Sequence, residues 1–116
     1  MAIVDTTMNT LYQAMRGLAA RQKVTADNVA NIQTPGFLAG TVDFESSLQR
    51  AIKTGNPDTA TINTGRSVAP TRQDGNNVNL DDETLSMVDT NLRYQTMVEA
   101  MNAKFRLLRT AMNGPL

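Results

Sequence analysis

The sequence contains no cysteine and no histidine. The first absence removes a disulfide framework and a thiolate nucleophile, and the second removes the imidazole base. Together they remove the common zinc ligands. Aromatic residues make up only 4% of the chain, too few to line an evident sugar-binding cleft. Large apolar residues are also scarce: Leu, Ile, Val and Phe account for 25 of 116 residues, barely above the roughly 20% level below which chains tend to be disordered. A dense, self-sufficient core is therefore not expected, and the free protein should be only partly ordered. Eleven basic residues cancel eleven acidic ones, so the field that gathers nucleic acid or anionic membrane is missing. No stretch approaches the ~18 apolar residues of a membrane span. Met1-Ala2-Ile3-Val4-Asp5-Thr6-Thr7 has neither the basic nor the apolar region of a cleaved leader, so an exported chain of this kind would need a dedicated apparatus.

What the sequence does hold is alanine, seven methionines and helical spacing. Alanine favours helix and methionine packs adaptably between helices. Over residues 7–31, Met8, Leu11, Met15 and Leu18 step by 3, 4 and 3, the signature of an amphipathic helix. Asp5, Thr6 or Thr7 can cap it, and Pro35-Gly36 stops the chain beyond it. A second helix is expected over residues 81–113, capped by Asp81 with Leu80 and Leu85 as a hydrophobic staple. Its stripe of Tyr94, Val98, Met101, Phe105, Leu108 and Met112 steps by 4, 3, 4, 3 and 4, the 3.5-residue repeat of a coiled-coil seam. Asn113-Gly114-Pro115 ends it.

Residues 32–80 read as a turn, a short helix and a mobile loop. Phe44, Leu48, Ala51 and Ile52 would share one face of the short helix. Residues 54–72 carry glycine, proline and threonine with few apolar positions, too little burial to offset ordering entropy. The expected fold is mainly α: one elongated domain of residues 1–116, an antiparallel helical hairpin or coiled coil joined by a short helix and a flexible Thr/Asn/Gly-rich middle. The two seams, Met8 to Leu18 and Tyr94 to Met112, are read as helix–helix core and as assembly surface. Arg16, Arg21, Lys23, Arg93, Arg106 and Arg109 are read as solvated or rim charges, with the setting of inter-subunit register as the lesser alternative.

Two local patterns carry possible chemistry. Asp74, Asp81, Asp82 and Glu83 cluster, but the calcium-loop spacing fails, because Val78 and Asn79 stand where a ligand and a glycine are required; a turn followed by a helix cap accounts for them better. The other pattern is Ala26-Asp27-Asn28-Val29-Ala30-Asn31-Ile32-Gln33-Thr34-Pro35-Gly36-Phe37. Pro35 presets φ and Gly36 supplies the positive φ of a type II turn, with Thr34 extended before the proline. Asn28 and Asn31 are poor helix formers whose amides can bind free carbonyls or reach a neighbouring chain.

That segment resembles the end of the N-terminal helix in the bacterial flagellar axial proteins, whose pattern is close to Ala-Asn-Asn-Val-Ala-Asn-x-x-Thr-Pro-Gly-Phe/Tyr. Ala26, Asn28, Val29, Ala30, Asn31, Thr34, Pro35, Gly36 and Phe37 match, and Asp27 departs. Ala20-Arg21-Gln22, Val42-Asp43-Phe44, Asp74-Gly75-Asn76-Asn77-Val78 and Tyr94 are similar to the proximal-rod members, so the resemblance covers about residues 18–50 and 74–112. It implies a non-enzymatic subunit without cofactor or small-molecule substrate, exported through the flagellar type III apparatus. Such a subunit packs by its terminal helices into the periplasmic rod of the basal body. The implied partners are further copies, other rod proteins, the membrane-ring protein and the adaptor or export gate at the base of the rod. A helical adaptor or export chaperone is the competing expectation.

Overall fold

The computed structural model describes residues 5–114; Met1 to Val4 and Pro115, read above for a leader and a helix stop, lie outside them. The elements run α1 (Thr6–Ala30), β1 (Gly40–Asp43), α2 (Glu45–Lys53), a 3-10 turn (Pro57–Thr59), β2 (Asn63–Arg66) and α3 (Leu80–Asn113). Asp5 caps α1, its Oδ1 accepting from the Met8 amide at 2.9 Å. The same carboxylate meets Lys104 Nζ at 2.8 Å, which ties the start of α1 to the distal half of α3. Toward the other end Asn28 donates to Glu83 at 3.1 Å, and Gln22 donates to Asn91. As α1 advances its partners on α3 recede, so the two helices form the expected antiparallel hairpin.

The result is long and thin. The molecule measures 67 × 28 × 14 Å with a radius of gyration of 18.1 Å, against ~13 Å for a compact chain of this length. α3 has 34 residues to the 25 of α1, which makes it ~14 Å longer at 1.5 Å per residue.

The middle segment folds back on the hairpin and supplies its main apolar cluster. Leu18, Phe44 and Leu48 are buried together, with Ala14, Val42, Ala60, Ile62, Tyr94 and Met97 packed around them. Phe44 fits because residue 17 is glycine: a β-carbon there would stand 2.2 Å from the ring Cγ. Phe44, Leu48 and Ala51 are buried as the α2 pattern predicts, but Ile52 is exposed, and the buried face of α2 runs instead through Ser47, Leu48 and Ala51.

Two expectations are corrected, the α3 cap and the role of Arg21, and the middle segment gains detail. Asn79, not Asp81, caps α3; its Oδ1 accepts from the Asp81 and Asp82 amides at 2.9 and 3.3 Å. The helix thus starts one residue earlier, and Leu80 and Leu85 are exposed rather than stapled. Residues 54–72, expected as a mobile loop, include short regular elements that the sequence pattern did not indicate. They contain the 3-10 turn and β2, which pairs antiparallel with β1 in the register Gly40↔Arg66 to Asp43↔Asn63. Backbone pairing needs no apolar side chain, so a ribbon whose second strand is wholly exposed leaves no trace in a hydrophobicity pattern. Arg21 is not a rim charge: its guanidinium bonds both Glu45 carboxylate oxygens at 2.7 Å and the Val42 carbonyl at 2.9 Å, 5.0 Å from the centre of the Phe44 ring.

Candidate functional site

The segment from Asn28 to Phe37 forms a corner at one end of the hairpin. α1 ends at Ala30, and the Asn31 amide donates back to the Asp27 and Asn28 carbonyls. Thr34-Pro35-Gly36-Phe37 then closes a turn, the Phe37 amide donating to the Thr34 carbonyl at 3.2 Å. Gly36 has φ of +74°, the positive value that its place in the turn requires. Asn31 Nδ2 donates to the Asp27 carbonyl while its Oδ1 accepts from the Thr34 hydroxyl at 3.1 Å, so this amide bridges helix end and turn.

Asn28 does different work. It is buried, and its side-chain amide pairs with the Gly40 peptide in both directions: Nδ2 donates to Gly40 O at 3.0 Å and Oδ1 accepts from Gly40 N at 2.7 Å. The pair docks the start of β1 onto α1 much as a strand neighbour would. Glycine is needed at residue 40, because a β-carbon would stand 2.8 Å from Val24 Cγ1. The shared Glu83 carboxyl is held above its ordinary range, chiefly by burial, with the Asn28 bond acting in the opposite direction.

The second motif, Asp74 to Val78, closes this corner from the other side. Asn76 is fully buried. Its Nδ2 lies within hydrogen-bond distance of the Asn31, Ile32 and Thr34 carbonyls, at 2.9, 3.1 and 3.0 Å, and its Oδ1 accepts from the Val78 amide at 2.7 Å. One side chain therefore gathers three carbonyls of the turn that follows α1. The Gly36 amide donates to Asp74 O at 2.8 Å, and Gly75, at φ +83°, lies so close that a β-carbon on it would stand 3.2 Å from Gly36 Cα. Arg72 adds bonds to the Val78 and Ile32 carbonyls. Asn77 ties Ala39 to Ser67 and Ala69. Phe37 is half-buried with the Arg66 guanidinium 5.3 Å from its ring centre. Two motifs more than forty residues apart thus make one hydrogen-bonded block that fixes the direction in which the chain leaves α1 and enters α3.

The sequence profile of the flagella basal body rod protein family matches residues 8–37, all but the first two residues of α1 together with the turn. The chain is 34% identical to the flagellar basal body rod protein FlgB of Bacillus subtilis, over 98% of both proteins. The chain belongs to the FlgB family. It is 27% identical to FlgB of Escherichia coli over 89% of this chain and 90% of that one. The FlgB of Borrelia hermsii is also 27% identical, over 91% and 95%. FlgB proteins are flagellar basal body rod proteins, a structural rather than enzymatic family.

In this FlgB chain the expected seam is partly displaced. Met8 and Leu18 are buried, with Leu11 and Met15 half-buried between them. On α3 the inner line runs Glu83, Ser86, Thr90, Tyr94, Met97, Met101, Lys104 and Leu108. Tyr94, Met101 and Leu108 were on the expected stripe, and Val98 flanks the line, half-buried. Phe105 is 48% exposed and Met112 77% exposed. Phe105 sits one step round the helix from Lys104, on the flank of the contact. Met112 lies two turns past Lys104, the residue level with the first turn of α1.

The N-terminal half of the inner line is polar, so hydrophobic periodicity missed it. Thr90 is fully buried there and its hydroxyl finds no partner. Sequence reasoning also missed Gly17, Gly40 and Asn76. Asn76 stood in a quoted motif, but only the fold brings it to the end of α1. No helix among the described residues is long and apolar enough to cross a membrane.

Proposed function

We propose that the protein is a structural subunit of the proximal rod of the flagellar basal body, assembling through its terminal helices into the hollow tube that crosses the periplasm. On this reading it is carried out by the flagellar type III apparatus. Its neighbours are further copies, other rod proteins, the membrane ring and the adaptor or export gate at the rod base. The observation that carries the reading is the shape of the hairpin together with what it leaves uncovered. A 14 Å thin molecule with one small apolar cluster exposes Leu85, Val88, Leu92 and Leu107 along its longest helix. Such a subunit gains burial by packing against neighbours.

An export chaperone would present an open groove for a client helix. Here Phe44 and Leu48 fill the middle of one side of the hairpin, which favours the rod reading. The test is deletion of the gene in its native host, with complementation by a tagged copy and isolation of basal bodies. The deletion strain should be non-motile and rodless, and the tagged chain should co-purify with basal bodies. A motile deletion strain, or a tagged chain confined to the cytoplasm with export substrates, would overturn the reading.

A further inference from the structure

The outward side of α3, about half a turn round the helix from its contact with α1, carries a short apolar stripe. Leu85, Val88 and Leu92 are 70%, 53% and 60% exposed. Beyond Leu92 the same side is polar. One flank of the stripe is acidic: Asp82 and Asp89 alternate with the leucines in the order Asp82, Leu85, Asp89, Leu92, stepping by 3, 4 and 3.

The outward side of α1 has the matching pattern. Arg16, Ala19, Lys23 and Ala26, all exposed, also step by 3, 4 and 3, with exposed Tyr12 one turn earlier on the same line. Alanines alternate with cations along this line as leucines alternate with carboxylates on α3. Neither Arg16 nor Lys23 has an ion-pair partner among the described residues. Asp89 has only the exposed i,i+4 pair with Arg93, which is weak and exchangeable.

We infer that the leucine stripe of α3 is the docking surface for the outward side of α1 of a second copy of this chain. The inference rests on the assembly reading above and specifies its contact. On both helices the charges lie on the same rotational side of the apolar line, so they face one another only when the two helices run antiparallel. The antiparallel register that brings Lys23 to Asp82 also brings Arg16 to Asp89, and sets Ala19 at Leu85 and Tyr12 at Leu92.

Within one subunit α1 already runs antiparallel to α3, so this contact gives neighbouring hairpins the same polarity. The two surfaces are different patches of one molecule, which makes the contact heterologous and self-propagating. The register is also staggered. Inside the hairpin Gln22 meets Asn91 and Asn28 meets Glu83, whereas the neighbour's α1 meets α3 about six residues nearer its N-terminus, an axial offset of ~9 Å. A staggered head-to-tail contact climbs, and so builds a helix instead of a flat ring.

The absence of native cysteine makes the test clean. The full-length chain carrying Ala19→Cys and Leu85→Cys, expressed in its native host, is oxidised in isolated basal bodies and run on a non-reducing gel. A ladder of disulfide-linked copies of this chain is expected from the double variant, and none from either single variant. A dimer from Leu85→Cys alone would mean a back-to-back contact, and a link to a different basal body protein would mean another occupant; either overturns the inference. Recovery of the variant in basal bodies without any cross-link overturns it as well while leaving the rod reading intact. If the wild-type chain itself is absent from basal bodies, both fail. As an independent readout, Lys23→Glu should abolish motility and Lys23→Glu with Asp82→Lys should restore it; failure of the pair to restore motility at normal protein levels counts against the register.

Discussion

The ring of Phe44 occupies the space that a side chain at residue 17 would need, with Cγ 2.2 Å from where a β-carbon on Gly17 would stand. Helix propensity alone favours Gly17→Ala by about 1 kcal/mol. The clash reverses the sign, because overpacking a fitted contact costs roughly 1–3 kcal/mol and Phe44 anchors both the apolar cluster and the Arg21 clamp. Gly17→Ala should lower the urea midpoint, and adding Phe44→Leu should recover part of the loss through coupling between touching residues. An alanine variant more stable than the parent would show that the ring moves aside freely.

Asn76 offers a sharper test of the corner, because its two side-chain atoms have opposite roles. Asn76→Ala removes the amide that joins the Asn31, Ile32 and Thr34 carbonyls and takes the acceptor from the buried Val78 amide; an unsatisfied buried group costs on the order of 1–3 kcal/mol. Asn76→Asp keeps the shape but turns a carboxylate toward those oxygens. The aspartate variant should therefore be the less stable of the two in thermal unfolding at neutral pH. The reverse order would mean that water replaces the amide at this site.

The contrast between Gly36 and Asn76 shows what was legible in the sequence. The turn around Gly36 was readable because its chemistry is local: proline before glycine dictates φ values within four residues. Asp5 as one of three candidate caps, and the period of α1, were readable for the same reason. Asn76 was readable only as part of a family motif, since its bonds span more than forty residues and no spacing rule reports them. On α3 the inner face combines Glu83, Ser86 and Thr90 with apolar residues further on, while Leu85, Val88 and Leu92 face outward. Hydrophobicity therefore pointed to both faces at once, and the expected stripe kept Tyr94, Met101 and Leu108 on the inner line but misplaced Phe105 and Met112. Asp81 was a plausible cap by residue type, and Asn79 won because its extended backbone lets one oxygen reach two amides.

Two glutamates give the protein opposing responses to acid. The Arg21 guanidinium beside Glu45 lowers its carboxyl from 4.5 to about 2. Its stabilising contribution is thus fully present above pH ~4.5 and is lost as pH falls toward 2. Exposure of that side chain, 45%, keeps the effect modest. Burial raises the Glu83 carboxyl, so the folded state binds that proton more tightly than the unfolded chain. Its contribution is most favourable below pH ~4.5 and declines as pH rises through the raised value. Glu45→Gln should flatten the loss of stability between pH 4.5 and 2, and Glu83→Gln should stabilise the protein at pH 7. Denaturant titrations at pH values from about 2 to 7 decide both, and a neutral-pH loss in Glu83→Gln would show that the charged form is the favoured partner of Asn28.

The last prediction separates the hairpin's own core from the surface it offers to neighbours. Leu18 is 2% exposed inside the cluster with Phe44 and Leu48, so Leu18→Ala leaves a cavity and should cost roughly 2–5 kcal/mol. That is a large share of the ~5–15 kcal/mol that holds an ordinary domain together, and it should reduce the helical signal of the isolated chain. Phe105, although larger, lies half exposed on the flank of α3 beside Met8, Tyr12 and Met101. Its truncation removes less buried surface and should cost the monomer less than half as much as the Leu18 change. If Phe105 is covered only in the assembled rod, Phe105→Ala should instead leave soluble protein near normal and reduce its recovery in basal bodies. The measurements are urea midpoints of the two purified variants beside their yields in basal bodies at matched expression. A Phe105→Ala monomer as unstable as Leu18→Ala would return Phe105 to the intramolecular seam.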